Sequence, residues 1–206
     1  MVRYTGPKNR IARKFGVNLF GRSRNPLQHK AHPPGMHGSK RKKKSDYGIQ
    51  LEEQQKLKAA YGMITQRQLV FLYQEVARHH KNTPELFLQR LECRLDTIVY
   101  KLKFAGTIFG AQQLVAHGHI LVDGRLVDRR CFFVKPGMVI SVKEASKKMK
   151  TIQSATQNTT RSVPAYLSLE SNNYSGKLLS FPGIDEVALP LEVNVPMVCD
   201  FLAHGG

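Results

Sequence analysis

Apolar positions along this chain change their spacing several times. The first 45 residues show no apolar period; single hydrophobic residues are scattered among Gly6, Pro7, Gly16, Gly21, Pro26, Pro33, Pro34 and Gly35. A helical period begins at Ser45 or Asp46, either of which can cap a helix running through Ala60, with Gly62 as its stop. Thr65 and Gln68 have capping-box spacing, and Ile64 and Leu69 stand at staple positions. Leu69, Leu72, Tyr73, Val76 and Ala77 then line one helical face. Thr83 followed by Pro84 reads as an N-cap and a first-turn proline, with Leu88, Leu91 and Leu95 as the buried stripe behind them.

From residue 92 the pattern is mixed. Asp96 is placed to cap TIVYKLKF, and Thr107 to cap IFGAQQLVAH, which Gly118 ends. HILVDGRLV follows, two β-branched runs around Asp123-Gly124, the dipeptide that favours a type I′ hairpin. CFFV and MVISV, separated by a KPG turn, predict two more short strands. Beyond residue 151 the chain is polar and then apolar with Pro164, Pro182, Pro190 and Pro196; YLSL and KLLSF suit extended segments, and VPMVCDFL suits a strand or a brief helix. The fold class expected is α+β: an extended basic arm over 1–45, a small helical bundle over 46–91 completed by 152–206, and a compact domain over 92–151 of two helices and short antiparallel strands.

Charge changes this picture most. The 206 residues carry 32 Lys and Arg against 15 Asp and Glu, a formal charge of +17. Residues 1–50 hold 13 of those cations and one acid, Asp46. Arg3, Lys8, Arg10, Arg13, Lys14, Arg22, Arg24 and Lys30 are spread through the arm, and Lys40, Arg41, Lys42, Lys43 and Lys44 are consecutive. Such a segment cannot offset its own ordering entropy alone, but each phosphate it neutralises releases condensed counterions. Glycine and proline let it follow an irregular groove, and Tyr4, Phe15, Phe20 and Tyr47 with His29, His32 and His37 supply stacking groups. A single-stranded or irregular RNA is the polyanion expected.

The same residues exclude other classes. The three arm histidines have no cysteine before Cys93 and no acid before Asp46, so no metal is expected. Cys93, Cys131 and Cys199 are odd in number and far apart, and are expected reduced and buried. No apolar run approaches the roughly 18 to 20 residues that span a bilayer, and no signal segment is visible, so a soluble cytoplasmic chain with no membrane partner is expected. Gly-rich phosphate loops and Ser-His-Asp or Cys-His constellations are missing, which argues against an enzyme and against a small-molecule substrate or cofactor.

RYTGPK, PPGMHG, KSDYGIQLEEQQKLK, RLDTIVYKL and LVAHGHILVDGRLV occur in this order along essentially the whole chain. In this the chain resembles the S-four family of bacterial small-subunit ribosomal proteins. The resemblance implies a structural protein that binds 16S rRNA as a primary binder, nucleates assembly of a multi-helix rRNA junction and contributes to translational accuracy. Neighbouring small-subunit ribosomal proteins would be further partners. It implies that residues 92–151 form the RNA-binding domain named after the family, with Thr107, Gln112, Gln113, His117, Asp123 and Gly124 on its RNA-facing surface. It also implies that Lys40, Arg41, Lys43 and Lys44 lie near the channel through which mRNA enters. His37, Tyr47, Lys56 and Lys58 join the RNA-binding set expected on the arm and first helix. Asn9 and Ala12 stand where some members begin a metal-holding cysteine set, so no metal is carried over. Ile108 and Gln112 stand where members often have arginines, and Lys101, Lys103, Arg125, Arg129 and Arg130 are expected to compensate.

Overall fold

The computed structural model describes residues 4–21, 25–40, 43–79, 82–157, 161–170 and 174–204. In chain order its helices are α1 (Lys8–Phe15), α2 (Asp46–Ala60), α3 (Gln66–Ala77), α4 (Thr83–Glu92), α5 (Leu95–Lys101), α6 (Ile108–Ala116), α7 (Lys150–Thr156) and α8 (Val195–Ala203). Its strands are β1 (Ile120–Val122), β2 (Arg125–Leu126), β3 (Val139–Val142), β4 (Leu167–Leu169) and β5 (Ser175–Leu178). The chain divides into two compact units, Met1–Pro84 with Leu189–Gly206, and Glu85–Ala188.

In the first unit, local chemistry sets the helix starts. The Ser45 hydroxyl accepts the Gly48 N–H at 3.2 Å, opening α2. Thr65 does the same for α3, accepting the Gln68 N–H. Asn194 caps α8 by accepting the Met197 N–H at 3.1 Å, with Pro196 in the first turn. VPMVCDFL is therefore helical; it packs on α2 and α3 and buries Val198, Cys199, Phe201 and Leu202. The arm, expected to be extended, contains α1. Pro7 precedes that helix, and Gly16 closes it at φ 69°, a left-handed position where glycine carries no Cβ penalty.

The second unit is built around one antiparallel sheet in the order β2-β1-β3-β5-β4. Asp123 and Gly124, both at positive φ, join β1 to β2, with Val122 opposite Arg125. The inner side chains Ile120, Val122, Ile140, Val142 and Leu178 meet Ile98, Leu102, Ala111 and Val115 of the helical layer in one apolar core. Thr107 caps α6 by accepting the Gly110 N–H at 3.1 Å. CFFV forms no strand: Phe133 makes only an isolated bridge to Arg94. β5 takes the place beside β3, pairing Gly176 with Ile140. The segment assigned from sequence to the helical lobe, 152–206, thus divides at residue 188, because β5 finds its hydrogen-bond partners on β3 and β4 finds its own on β5.

Two buried polar clusters tie this unit together. The sequence pattern places Asp96 as the cap of α5, but the helix begins one residue earlier. The Asp96 carboxylate instead accepts both ends of the Arg94 guanidinium at 3.0 and 2.9 Å, the Thr97 N–H at 3.1 Å and Gln112 Nε2 at 3.2 Å. Gln112 Oε1 then accepts Arg130 Nη1 at 3.2 Å, while the Asp96 and Leu95 N–H groups donate to the Arg130 and Phe132 carbonyls. The start of α5, the middle of α6 and the loop at 130–132 are thereby fixed to one another. Arg94 Nη1 is buried without a partner among the described residues, so this guanidinium depends on Asp96 for its counter-charge. In the second cluster, Lys101 Nζ lies 2.6 Å from the buried Glu92 carboxylate and donates to Tyr166 Oη at 2.8 Å. Tyr166 in turn donates to Glu92 at 3.0 Å. Burial pushes the Tyr166 hydroxyl up, and Glu92 adds to the effect.

Three outcomes follow from this packing. A Cβ on Gly176 would sit 2.7 Å from the Ser168 carbonyl oxygen and 2.6 Å from a Leu102 methyl. Gly176→Ala should therefore cost about 1–3 kcal/mol in urea denaturation. Asp96→Ala leaves Arg94 buried and uncompensated, and should cost about 3–5 kcal/mol by the same measurement. Burial pushes the Cys93 and Cys199 thiols up to about 12, with Glu92 and Asp200 adding to it. Cys131, expected buried, is exposed in the turn that follows Arg130. A chromogenic disulfide reagent at pH 8 should titrate one thiol in the folded chain and three after denaturation.

Candidate nucleic-acid interface

In the second unit the sequence-predicted residues divide into two groups. Gln113 and His117 are exposed on and just beyond α6, and Asp123, Gly124, Arg125 and Arg129 are exposed on the hairpin and the loop after it. The capping bond holds Thr107, half-buried, at the opening of α6. Lys103 is half-buried in the α5–α6 turn at φ 64°, a left-handed position unusual for a residue other than glycine. The Asp123 carboxylate accepts the Val139 N–H at 2.8 Å, so it fixes the hairpin to β3. The exposed side chains among them are one amide, one imidazole, one carboxylate and two guanidinium groups.

The second group faces inward. Gln112 and Arg130 are buried in the Asp96 cluster, and Lys101 is ion-paired with buried Glu92. Their hydrogen-bonding groups are taken up inside the unit, so these three position the surface and do not present charge on it. The sequence alone counts all three as contacts, because a residue's type does not reveal which side of a helix or loop it occupies once the tertiary fold forms.

Several exposed cations of this unit escape the sequence reading: Lys135, Lys143, Lys148, Lys150 and Lys177. Lys143 donates its N–H to the His119 carbonyl at 2.9 Å, and the His119 and His117 rings lie 6.2 Å apart. That places Lys143 beside the exposed end of α6. Among the signals available in the sequence, only the cation density of 143–150 pointed to it.

In the first unit, Arg10, Lys30, His37, Lys40 and Lys43 are exposed. Lys8 is half-buried in the first turn of α1. The Arg13 guanidinium is occupied by the arm itself, donating to the carbonyls of Lys30, His32 and Pro33 at 3.0 to 3.4 Å. Lys14 donates to Gln55, and Lys44 pairs with Glu52. Together with Pro33, Gly48 and Leu51 these four side chains line a shallow cleft between the arm and α2. Lys56 pairs with Glu53 at 2.6 Å, and Lys58 donates to Gln66 at 3.2 Å, with burial lowering its pKa. Tyr47 is 63% exposed and tilts against Phe201. Arg3, Arg22, Arg24, Arg41 and Lys42 lie outside the described residues. Among the described residues no group of three or more His, Cys, Asp or Glu could hold a metal, and no helix is long and apolar enough to cross a membrane.

Comparison with known proteins bears on the same surfaces. Residues 3–92 match the family model of the ribosomal protein S4/S9 N-terminal domain, and residues 93–140 match that of the S4 domain. A small ribosomal subunit protein uS4 from Protochlamydia amoebophila is 61% identical over 204 residues, covering 99% of both chains. Proteins of the same name from Chlamydia trachomatis serovar L2 and Chlamydia pneumoniae are 58% identical over 207 residues, again covering 99% of each. Two adjoining family matches and full-length identity of this order show that the chain belongs to the uS4 family of small-ribosomal-subunit proteins.

Proposed function

We propose that this protein is a structural, non-enzymatic constituent of the small ribosomal subunit in the cytoplasm, and that it binds 16S rRNA directly as a primary binder. The observation that carries this reading is how charge is distributed in the second unit. Its two buried acids, Glu92 and Asp96, are each neutralised by a cation of the same unit. Arg125, Arg129, Lys135, Lys143, Lys148 and Lys150 are exposed in the same unit, whose residues 85–188 hold 14 Lys and Arg against 9 Asp and Glu. A polyphosphate supplies that missing counter-charge, with affinity that falls as salt competes for the phosphates. The hairpin and α6 give the surface a fixed shape, which suits an irregular RNA fold better than a regular duplex groove.

The arm extends the contact. Arg10, Lys30, Lys40 and Lys43 reach phosphates at a junction of several rRNA helices, and ordering that junction is how the protein nucleates assembly. Lys40, Lys43 and Lys44 reach the path of incoming mRNA, which links the protein to translational accuracy. Neighbouring small-subunit proteins pack against faces that the RNA leaves open.

Arg125 and Arg129 are both exposed, and neither has an ion pair among the described residues. The double variant Arg125→Ala, Arg129→Ala should keep its urea midpoint and lose about tenfold or more in 16S rRNA affinity. Its salt slope should fall by about one to two. Filter binding across a salt series measures both quantities. Unchanged affinity and slope would remove this surface from the interface.

A further inference from the structure

On the second unit, Arg90 and Phe181 each lie against the Phe133 ring. The Arg90 guanidinium carbon lies 4.0 Å from the centre of the Phe133 ring. The Phe181 ring stacks on Phe133, with centroids 6.1 Å apart and planes 19° from parallel. Phe133 is anchored by its backbone bridge to Arg94, the residue held by Asp96. Phe181 is 46% exposed. The pair is thus tied to the unit at Phe133 and open to solvent at Phe181.

From this geometry we infer that Phe181 is a stacking site for an unpaired nucleobase of the bound RNA, a proposal that rests on the rRNA-binding reading above. Flat aromatic faces take any base, and the guanidinium against Phe133 adds cation–π stabilisation to the pair. The surroundings suit a base that carries its own phosphate. Lys135 is exposed at the turn packed beside the end of β5, where Gly137 donates to the Leu178 carbonyl at 2.8 Å. Phe181 lies three residues beyond that point. Of the two acids in the turn after Phe181, Glu186 accepts the Gly183 N–H at 3.0 Å and Asp185 is exposed. The cations Arg90, against Phe133, and Lys135 favour a nucleotide over a basic segment of a partner protein.

The sequence contains no tryptophan, so Phe181→Trp in the full chain places a single fluorescent reporter on the stack. Adding a single-stranded oligoadenylate should quench the indole emission of this variant, whereas inorganic polyphosphate, which carries the charge without bases, should bind and leave it unchanged. Phe181→Leu keeps apolar cover over Phe133 and should weaken oligoadenylate binding about fivefold or more, with polyphosphate binding unaffected. Equal quenching by both polymers, or tight oligoadenylate binding with no quenching, would overturn the stacking site and leave the rRNA reading standing. A blue shift of the indole emission only on adding another small-subunit protein would overturn it in favour of a protein interface. Failure of the unaltered chain to bind any RNA would remove both readings together.

Discussion

Everything in the second unit depends on where its negative charge is spent. Glu92 and Asp96 are buried, and burying a carboxylate is tolerable only when a cation and further hydrogen bonds accompany it inside. Lys101 and Tyr166 meet that requirement for Glu92; Arg94, Gln112 and the Thr97 N–H meet it for Asp96. These arrangements have two consequences at once. They lock α5, α6 and the loop at 130–132 together, and they keep two of the unit's nine acids away from the cations on its surface, which stay in excess. The surface is therefore both shaped and positive before any partner arrives, so little ordering free energy is needed there on binding.

The first unit works differently. Its arm is held by its own groups, with Arg13 donating to three backbone carbonyls and Lys14 and Lys44 engaged by residues of α2. Cations whose hydrogen bonds are already made internally would have to exchange them to reach phosphate. Those with no such engagement, such as Lys43, can neutralise phosphate without that loss. The two units therefore differ in preorganisation as well as in net charge, most of which lies in the first.

Features governed by near neighbours were legible in the sequence. Ser45, Thr65 and Thr107 cap the helices expected of them, and Asp123-Gly124 makes the hairpin, because each depends on atoms within a few residues. Features governed by distant partners were not. CFFV has strand composition, but β5, more than 40 residues further on, occupies the position beside β3. Gly176 looked unremarkable until Leu102 and Ser168 closed around it. Gln112, Arg130 and Lys101 read as surface groups until the buried acids came to lie beside them. The resemblance to a ribosomal family suggested arginines near position 112; with Gln112 there, an amide bridges Asp96 to Arg130.

The central claim is that ribosomal RNA supplies the counter-charge this protein lacks. The most direct measurement is the affinity of the unaltered chain for 16S rRNA over a roughly tenfold range of monovalent salt. The account predicts a linear fall of log affinity against log salt, with a slope whose magnitude corresponds to several phosphate contacts. An affinity that is absent at low salt, or that holds constant as salt rises, would contradict it.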